Sequence, residues 1–431
     1  ALPAFAEVQN IKVTGSVLVR GFYRDNYGTT GSGAGAAFSD GNATLAGTQA
    51  FASAESRDWY NTQTRLGVSA DLTDNVAASI LIANERDWQN TASNASTISL
   101  KNSYITFKEM LYSPLTLKVG KMGLKVADKL VVGDGSIGAN TFLASDYQDG
   151  KSFDAIVGIL DYDPMTLVLG TIKVGDAAQS ATDDVDLYLI DAIYKFEDDM
   201  NTVLDAYFAT AHYNSPDSDG TAGVDRSGPT STSTRGTDVN VLAAVLTTEP
   251  MESLSAKLAV ALQNGDYVKS AASSRNLDAM AIDLFVDYAI ENDYSAKVGL
   301  KYVYRSGEDS SNTGDFEGWL PLYEDQCNGI IYDPNTNISA FAITASAAPA
   351  DRLTVGAEYW MYSLDETQTA VANVTSTDDE AGQELDLTAR YAYTEDVSMG
   401  LELAWFFPGN YYVSGNDKTA QQVMIELGVK F

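Results

Sequence analysis

The chain has 431 residues, with 59 Asp or Glu against 27 Lys or Arg, and its formal net charge is −32. This excess of acid argues against nucleic acid as a partner, because phosphate binding needs a basic surface. The chain has one Cys and one His, which excludes an intrachain disulfide and argues against metal or haem sites built from these residues. We therefore expect no metal site and no cofactor.

Membrane-spanning helices are excluded, since the longest apolar run covers only 241–246, far short of the roughly 20 residues that a helix needs to cross a bilayer. Polar and apolar residues instead alternate with the period of a β-strand. The alternating segments lie at 8–24, 57–72, 76–86, 98–108, 114–120, 152–160, 165–173, 185–195, 201–211, 238–248, 253–263, 277–290, 294–305, 338–347, 353–362, 383–393, 397–407 and 421–431.

These segments predict an all-β fold in which residues 1–431 form a single closed antiparallel transmembrane β-barrel. The predicted strand number is eighteen, with sixteen as the alternative, and an even number suits a closed antiparallel barrel. Short connections alternate with long ones, which predicts short periplasmic turns and long extracellular loops. The longest loops are predicted at 25–56, 121–151, 212–237 and 306–337.

The last strand indicates which face meets lipid. Val423, Ile425, Leu427 and Val429 alternate with polar residues up to the terminal Phe431. We expect these apolar side chains to face lipid, together with Leu401 and Leu403 of the preceding strand. Taken alone, the same segment would also suit an amphipathic edge strand of a soluble protein.

Both chain ends are expected on the periplasmic side of a bacterial outer membrane. Ala4-Phe5-Ala6 looks like the end of a secretory signal, and residues 1–7 are predicted to be a periplasmic segment. We expect contacts with outer-membrane lipid and lipopolysaccharide, and a homo-oligomer is a further candidate.

Charged residues that alternate with the lipid-facing positions are predicted to line the pore. Their signs are mixed, so they either keep the lumen wet or orient a charged solute. The predicted pore-lining residues are Lys12, Arg20, Arg65, Lys118, Asp154, Lys257, Asp283, Asp287, Lys297, Lys301, Glu358, Glu384, Asp386, Arg390, Glu402 and Glu426.

Two long connections are candidates for controlling access to the pore. A barrel of this size leaves an aqueous channel unless something folds into it. Connection 121–151 is the predicted constriction loop, although it could also project outward. Connection 306–337 contains seven acidic residues and no Lys or Arg, so we expect a solvated acidic rim that could attract divalent cations. The predicted constriction residues are Lys121, Lys125, Asp128, Lys129, Asp134 and Asp146.

Catalysis finds little support, because the only histidine, His212, lies where a strand enters a polar loop. A catalytic triad would have to be built around this one residue. We therefore predict that the protein is not an enzyme.

A family resemblance lies mainly near the C-terminus. The stretch from Gly382-Gln383-Glu384-Leu385-Asp386-Leu387 through Phe406-Phe407-Pro408-Gly409-Asn410-Tyr411 resembles the closing block of the alginate-export family of outer-membrane barrels. Weaker similarities are Arg65-Leu66-Gly67, Lys118-Val119-Gly120-Lys121 and Ser152-Phe153-Asp154-Ala155. The resemblance implies an eighteen-stranded barrel that passes a polar or charged solute.

That family's polyuronate conduit is strongly basic, whereas the inward charges predicted for this chain are mixed. We therefore predict a porin that lets ions and small polar solutes diffuse passively. The alternatives are an exporter of an anionic polysaccharide and a plugged barrel with a structural or adhesive role.

Overall fold

A computed structural model of the chain describes residues 9–26, 56–88, 97–110, 114–126, 129–134, 151–175, 185–213, 237–270, 273–309, 314–325, 328–367 and 376–431. Within these ranges the chain is almost entirely β-structure, as the period-two alternation predicts. None of the described helical turns is long and apolar enough to cross a membrane.

The predicted strand number is confirmed, and most strand ends fall within a few residues of the sequence-based bounds. The strands are β1 (Gln9–Asp25), β2 (Arg57–Thr73), β3 (Val76–Asp87), β4 (Ser99–Phe107), β5 (Leu115–Met122), β6 (Phe153–Tyr162), β7 (Met165–Gly175), β8 (Val185–Lys195), β9 (Val203–Tyr213), β10 (Thr237–Met251), β11 (Leu254–Ser270), β12 (Ser273–Ala289), β13 (Lys297–Arg305), β14 (Ile338–Ala350), β15 (Leu353–Ser363), β16 (Glu380–Ala392), β17 (Val397–Pro408) and β18 (Ala420–Lys430).

The strands form one closed antiparallel sheet. Each strand pairs with its neighbours in sequence, and β18 pairs back with β1. At the seam, Gly15 N donates to Phe431 O over 2.8 Å and Phe431 N donates to Gly15 O over 3.0 Å. Closure removes the free strand edges, which cannot be left unpaired in lipid. The first and last strands therefore begin and end at the same end of the barrel.

The outer face of the barrel is apolar. In β18, Ile425 and Leu427 are 53% and 46% exposed, whereas the alternate residues Gln422 and Met424 are covered. In β17, Met399 and Leu401 are exposed and Ala404 and Phe406 are covered. Rows of exposed Leu, Ile and Val around a closed sheet form the band that a bilayer would cover. The outward positions predicted for these two strands agree with this register.

Short and long connections lie at opposite ends of the barrel, as the antiparallel order requires. One connection on the long side differs from the prediction. Strand β11 extends to Ser270 and β12 starts at Ser273, so only residues 271–272 join them. The apolar alternation ends at about residue 263 in β11 and begins again at about 277 in β12, whereas the hydrogen bonding between these strands continues through the polar residues beyond.

The inner face has two different halves. On strands β6 to β12 it carries small and medium apolar side chains, including Val157, Leu187, Ala211, Val241 and Ala281, all buried. We call this surface the apolar wall. On β16 to β18 and β1 to β3 the inner face carries charged and amide side chains together with a few buried apolar residues, among them Phe406 and Met424, and we call it the polar wall. A water-filled barrel has no reason to carry an apolar wall, so something must cover it.

Candidate solute pathway inside the barrel

Two connections fold into the barrel and cover the apolar wall. The first comprises residues 123–126 and 129–134, which follow β5, and the second comprises residues 314–325 and 328–337, which lie between β13 and β14. Backbone bonds join them: Gly133 N donates to Tyr323 O over 2.8 Å, and Tyr323 N donates to Val131 O over 2.9 Å. We call the two segments together the infolded segments.

Apolar side chains fix the infolded segments on the apolar wall. Trp319, Leu320, Leu322 and Tyr323 are almost fully buried, as is Val132, and all belong to one hydrophobic cluster with the inner faces of β6 to β12. Burial of large apolar side chains stabilises such packing by about 1.5 to 3 kcal/mol each. The small residues of the wall leave the space that these large side chains occupy. Half of the barrel interior is therefore a packed hydrophobic core.

A buried glutamine fixes the position of the second segment. Gln263 of β11 donates from Nε2 to Leu320 O over 2.7 Å, and its Oε1 accepts from Leu320 N over 2.9 Å. Gln263 is 1% exposed. Buried backbone N–H and C=O groups need hydrogen-bond partners. The Gln263 side chain supplies the partners of both the N–H and the C=O of Leu320.

A buried carboxylate holds the same segment on the opposite side. Glu384 of β16 accepts from Ile331 N over 2.6 Å and from Tyr332 N over 2.8 Å. Nearby, Gly329 N donates to the Tyr362 hydroxyl over 3.0 Å. A Cβ on Gly329 would lie 2.7 Å from Glu384 Cδ, so only glycine allows this approach without a shift.

An ion-pair cluster joins the two infolded segments to the start of β6. Asp325 accepts from Lys151 Nζ over 3.0 Å and lies 3.4 Å from Lys129 Nζ. Lys151 also donates to Glu324 O over 2.7 Å. A Cβ on Gly133 would overlap the Asp325 carboxylate, so glycine is needed here as well. Asp325 therefore connects both segments through charge.

A second buried ion-pair group lies beside the cluster of Asp325, Lys129 and Lys151. Arg305 donates from Nη1 to Asp283 Oδ1 over 2.6 Å, and its Nε lies 3.6 Å from Glu324 Oε2. Burial raises the pKa of Glu324 to about 8, against the opposing effect of Arg305. Burial has the larger effect on this pKa for two reasons. The Arg305 guanidinium already donates two hydrogen bonds to Asp283, and neither carboxylate oxygen of Glu324 accepts a hydrogen bond.

A cavity of about 800 Å³ lies between the infolded segments and the end of the barrel with the short connections. Its charged lining is balanced, with six basic and six acidic side chains in a chain of net charge −32. The lining charges are Lys129, Lys257, Lys297, Lys301, Arg305 and Arg390 with Asp283, Asp287, Asp325, Glu358, Asp386 and Glu402.

Several of these charges are paired across the cavity wall. Lys301 Nζ donates to Glu358 Oε1 over 2.7 Å, and Trp360 Nε1 donates to the other oxygen of the same carboxylate over 3.0 Å. The ammonium of Lys257 lies 4.1 Å from the ring centroid of Phe285, a cation–π distance. Pairing within the wall leaves the cavity wet and polar without a strong net field.

The polar wall continues this arrangement along β17, β18 and β1. Arg20 Nε lies 3.1 Å from Glu426 Oε2, and Arg24 Nε donates to Gln422 Oε1 over 2.6 Å. Gln422 in turn donates to Glu402 over 2.9 Å. Arg24 and Gln422 are buried, whereas the side chains of Arg20 and Glu426 keep 11% and 14% of their surface exposed. The hydrophilic surface inside the barrel is therefore eccentric, lying to one side of the infolded segments.

A family model described as Alginate export matches residues 33–426. The chain belongs to the alginate-export family. Comparison with curated proteins returns no match. Several solved structures from Pseudomonas aeruginosa share the fold of this alginate-export family member, and one of them, OpdK, is described as an outer membrane protein.

Three of these structures illustrate the likeness. OpdQ is 12% identical with a TM-score of 0.59, and the match covers 99% of each chain. OpdK is 12% identical with a TM-score of 0.58, covering 97% of this chain and 99% of that one. OccK2 in complex with glucuronate is 12% identical with a TM-score of 0.56, covering 97% and 98%. The TM-scores show that the fold is shared, and at identities this low the likeness concerns the fold alone.

The structure places most of the predicted pore-lining residues of this family member on the inner face, and two need correction. Asp154 lies on the outer face, because its neighbours Phe153 and Ala155 point inward to pack in the hydrophobic cluster. Glu384 points inward but is covered by residues 329–332. The inward set is Lys12, Arg20, Arg65, Lys118, Lys257, Asp283, Asp287, Lys297, Lys301, Glu358, Glu384, Asp386, Arg390, Glu402 and Glu426.

The predicted constriction residues do not all lie in the infolded segments. Lys129 belongs to the infolded segments, as do Lys125 and Asp134, whose side chains lie 3.3 Å apart as an exposed ion pair. Lys121 is still part of β5 and lies on the outer face, in register with Asp154. Asp128 and Asp146 lie outside the described residues.

The predicted acidic rim is wrong for most of connection 306–337, which folds inward instead. The signal was present in the sequence: Phe316, Trp319, Leu320, Leu322 and Tyr323 stand close together, which a solvated loop would not need. Acidic residues of the same stretch are tolerated inside the barrel because Arg275, Arg305 and Lys151 form ion pairs with them. Across the part of the chain that the structure describes, no cluster of three or more His, Cys, Asp or Glu could hold a metal ion.

Proposed function

We propose that this barrel is an outer-membrane channel, and not an enzyme, through which ions and small polar solutes diffuse passively. The observation that carries the proposal is the charge-balanced cavity of about 800 Å³ beneath the infolded segments. Ligand pockets of this volume suit small molecules. The long connections would face the cell exterior, and both termini the periplasm.

The proposed path runs along the polar wall. The infolded segments are packed on the apolar wall by a hydrophobic core, and they also reach β16, where Glu384 binds the backbone of Ile331 and Tyr332. The path that they leave therefore lies beside β18 and β1. Side chains such as Arg20, Glu426 and Glu402 offer donors and acceptors to a hydrated solute on the other side. A solute that carries both donors and acceptors, or both charges, would fit a balanced lining best.

Export of an anionic polysaccharide is the second candidate, and the family match favours it. A polyuronate carries one negative charge on each sugar and would need a path with net positive charge. In the cavity the basic side chains Lys301 and Arg305 are engaged by Glu358 and Asp283. The lining therefore favours small polar or zwitterionic solutes over a polyanion.

Reconstitution distinguishes these functions. We expect planar-bilayer recordings to show open-channel steps with a weak cation preference. Liposome swelling should be as fast with a neutral sugar or a zwitterionic amino acid as with a uronate of similar size. Block of the current by polyuronate oligomers, or much faster uronate entry, would favour the exporter. Absence of any current steps would favour a plugged barrel with a structural role.

A further inference from the structure

Short side chains line the cavity where strands β13 to β16 form its wall. Gly299 of β13 lies opposite Thr344 of β14, and Gly356 of β15 lies opposite Thr388 of β16. A Cβ on Gly299 would lie 2.6 Å from the Thr344 hydroxyl oxygen, and a Cβ on Gly356 would lie 2.7 Å from the Thr388 hydroxyl oxygen. The two hydroxyls therefore lie against glycine backbone, and the wall is shallow here.

Hydroxyl groups continue along the same part of the cavity lining. A hydroxyl both donates and accepts hydrogen bonds, so a row of hydroxyls fits a ligand whose own groups do both. Sugars and other polyols have this property, whereas a carboxylate only accepts and an ammonium only donates. We call the cavity-lining hydroxyl residues of β14 to β16 the hydroxyl surface, and they are Thr344, Ser346, Thr354 and Thr388.

Charges beside the hydroxyl surface are already paired. Lys301 Nζ donates to Glu358 Oε1 over 2.7 Å, and Glu358 lies opposite Thr344 in the strand register. Arg305 donates to Asp283 over 2.6 Å. An ionic ligand would have to break such a pair to bind, so its gain would be offset by the charge that it leaves unpaired. A neutral ligand can bond to these groups while the pairs stay intact.

Two acceptor oxygens of the cavity lining lack donors. Asp386 precedes Thr388 by two positions on β16, so both side chains are on the inner face, and Asp386 is 3% exposed. Within the part of the chain that the structure describes, neither Asp386 Oδ1 nor Asn328 Oδ1 accepts a hydrogen bond. Buried acceptors usually have a donor, so a ligand that supplies one is favoured here. The Lys301 ammonium already lies at Glu358, the residue opposite Asp386, and would repel a second ammonium. Hydroxyl groups of a neutral ligand are therefore the better donors.

Apolar side chains complete the cavity for a ligand of this class. Phe285 of β12 and Ile330 of the second infolded segment line the cavity and are partly buried. The C–H groups of a sugar ring can pack on such side chains while its hydroxyls bond to the hydroxyl surface. Small-molecule sites combine apolar walls with a few placed polar groups in this way.

We propose that the cavity contains a binding site for a neutral polyhydroxylated solute of sugar size, held by the hydroxyl surface together with Asp386 and Asn328. The inference rests on the proposed function, because the solute would reach the cavity through the channel. Lys129, Leu130 and Asn328 of the infolded segments cover the cavity toward the long connections, whereas the open path lies beside β18 and β1. A solute in the cavity is therefore held beside this path, and binding makes its passage saturable.

Calorimetric titration of the purified, detergent-solubilised barrel tests the site. The probes are glucose, glucosamine and glucuronate, which share one ring and are neutral, cationic and anionic. We expect glucose to bind at least as tightly as either charged sugar. The double variant Thr344→Val/Thr388→Val should weaken glucose binding at least about fivefold, because two hydroxyls are lost at nearly constant volume. The matched control Thr14→Val/Thr106→Val changes inward threonines of β1 and β4 that are outside the cavity lining, and it should bind as the parent does.

Substitutions of Asp386 separate the effect of an acceptor from that of a charge. Asp386→Leu removes the acceptor and should weaken glucose binding. Asp386→Asn restores a carbonyl oxygen without the charge and should recover most of the loss. Failure of this recovery, tighter binding of glucosamine or glucuronate than of glucose, or equal losses in the two threonine double variants would overturn the site. Variants are compared as folded barrels, identified by heat-modifiable migration on gels.

Conductance separates this site from the proposed function. A barrel that conducts ions but does not bind glucose contradicts the site and leaves the channel function intact. A barrel that binds glucose but shows no current steps supports the site and contradicts the channel function.

Discussion

Gln263 on the barrel wall exchanges two hydrogen bonds with the backbone of Leu320 in the second infolded segment, at 2.7 and 2.9 Å. Both partners are buried, so no water replaces these bonds when they are lost. Each orphaned buried group costs about 1 to 3 kcal/mol. This amide side chain therefore contributes to the position of the segment in the lumen, together with Glu384 and the ion pairs of Asp325.

Replacing this glutamine should loosen the segment. We expect Gln263→Leu to increase mean single-channel conductance or current noise, because Leu320 N and O would lose their partners. Asn264→Leu is the matched control, since residue 264 is adjacent in β11 but lies on the outer face. If the two variants conduct alike, the segment does not limit the current.

The ion pairs of Asp325 should protect the infolded segments from protease. Its partners Lys129 and Lys151 are basic residues after which trypsin cleaves. The pair with Lys151 is buried, whereas Lys129 is 43% exposed. Breaking a buried ion pair costs about 3 to 5 kcal/mol, so Asp325→Asn should loosen the segments and speed tryptic cleavage after both lysines. Asp134→Asn breaks the exposed pair with Lys125, which is worth about 0 to 1 kcal/mol, and should leave the cleavage rate unchanged.

The buried Glu324 makes the infolded segments sensitive to pH. Its pKa is raised from 4.5 to about 8 in the folded protein, so the packed state favours the protonated carboxyl. The stability from this group is full below pH 4.5 and is lost as pH rises through about 8. We expect tryptic cleavage of the segments to accelerate between pH 6 and about 9 after correction for the activity of the enzyme. Glu324→Gln should flatten this dependence, and an unchanged pH profile would contradict the assignment.

The lipid-facing register can be tested with neighbouring residues of β17. Leu401 is exposed on the outer face, and an arginine there would cost about 2 to 4 kcal/mol if the position lies near the bilayer midplane. We expect Leu401→Arg to lower the urea midpoint for barrel unfolding in lipid vesicles. Glu402→Arg faces inward and should shift the midpoint much less. Equal shifts would mean that the strand faces are assigned incorrectly.

Ion selectivity should respond to the cavity lining. A unit charge about 10 Å away in water contributes about 0.4 kcal/mol, which is close to a twofold change in permeability ratio. Lys297→Glu changes two units of charge in the balanced cavity, so we expect the cation preference to rise by roughly twofold to fourfold in dilute salt. The effect should diminish in 1 M salt, where the screening length falls to about 3 Å. A reversal potential that does not move would place the selective region elsewhere.

The strands could be predicted from the sequence because lipid imposes a strict rule on their outer face. Residues such as Leu427 and Glu426 differ so strongly in their cost of facing lipid that a slip of one residue is excluded. Asp154 is an exception to this rule. It faces outward because its neighbours in β6, Phe153 and Ala155, are apolar residues that point inward and pack in the hydrophobic cluster with the infolded segments.

The interior was harder to predict because its packing partners are distant in sequence. Gln263 and Leu320 are 57 residues apart, and Ile331 is 53 residues from Glu384. No periodicity within one strand indicates which connection will cover which wall. The aromatic and aliphatic content of 316–323 was the usable signal, and it predicts burial without predicting the site of burial.

The apolar wall limits how this pore could change its size. In a barrel filled with water, shortening an inward loop would simply widen the channel. Here, removing residues 314–337 would expose the buried faces of seven strands, β6 to β12, and the bare surface would collapse or aggregate. A wider or differently selective channel is therefore accessible mainly through substitutions along the polar wall, whereas the packed half must be conserved in volume like the core of a soluble enzyme.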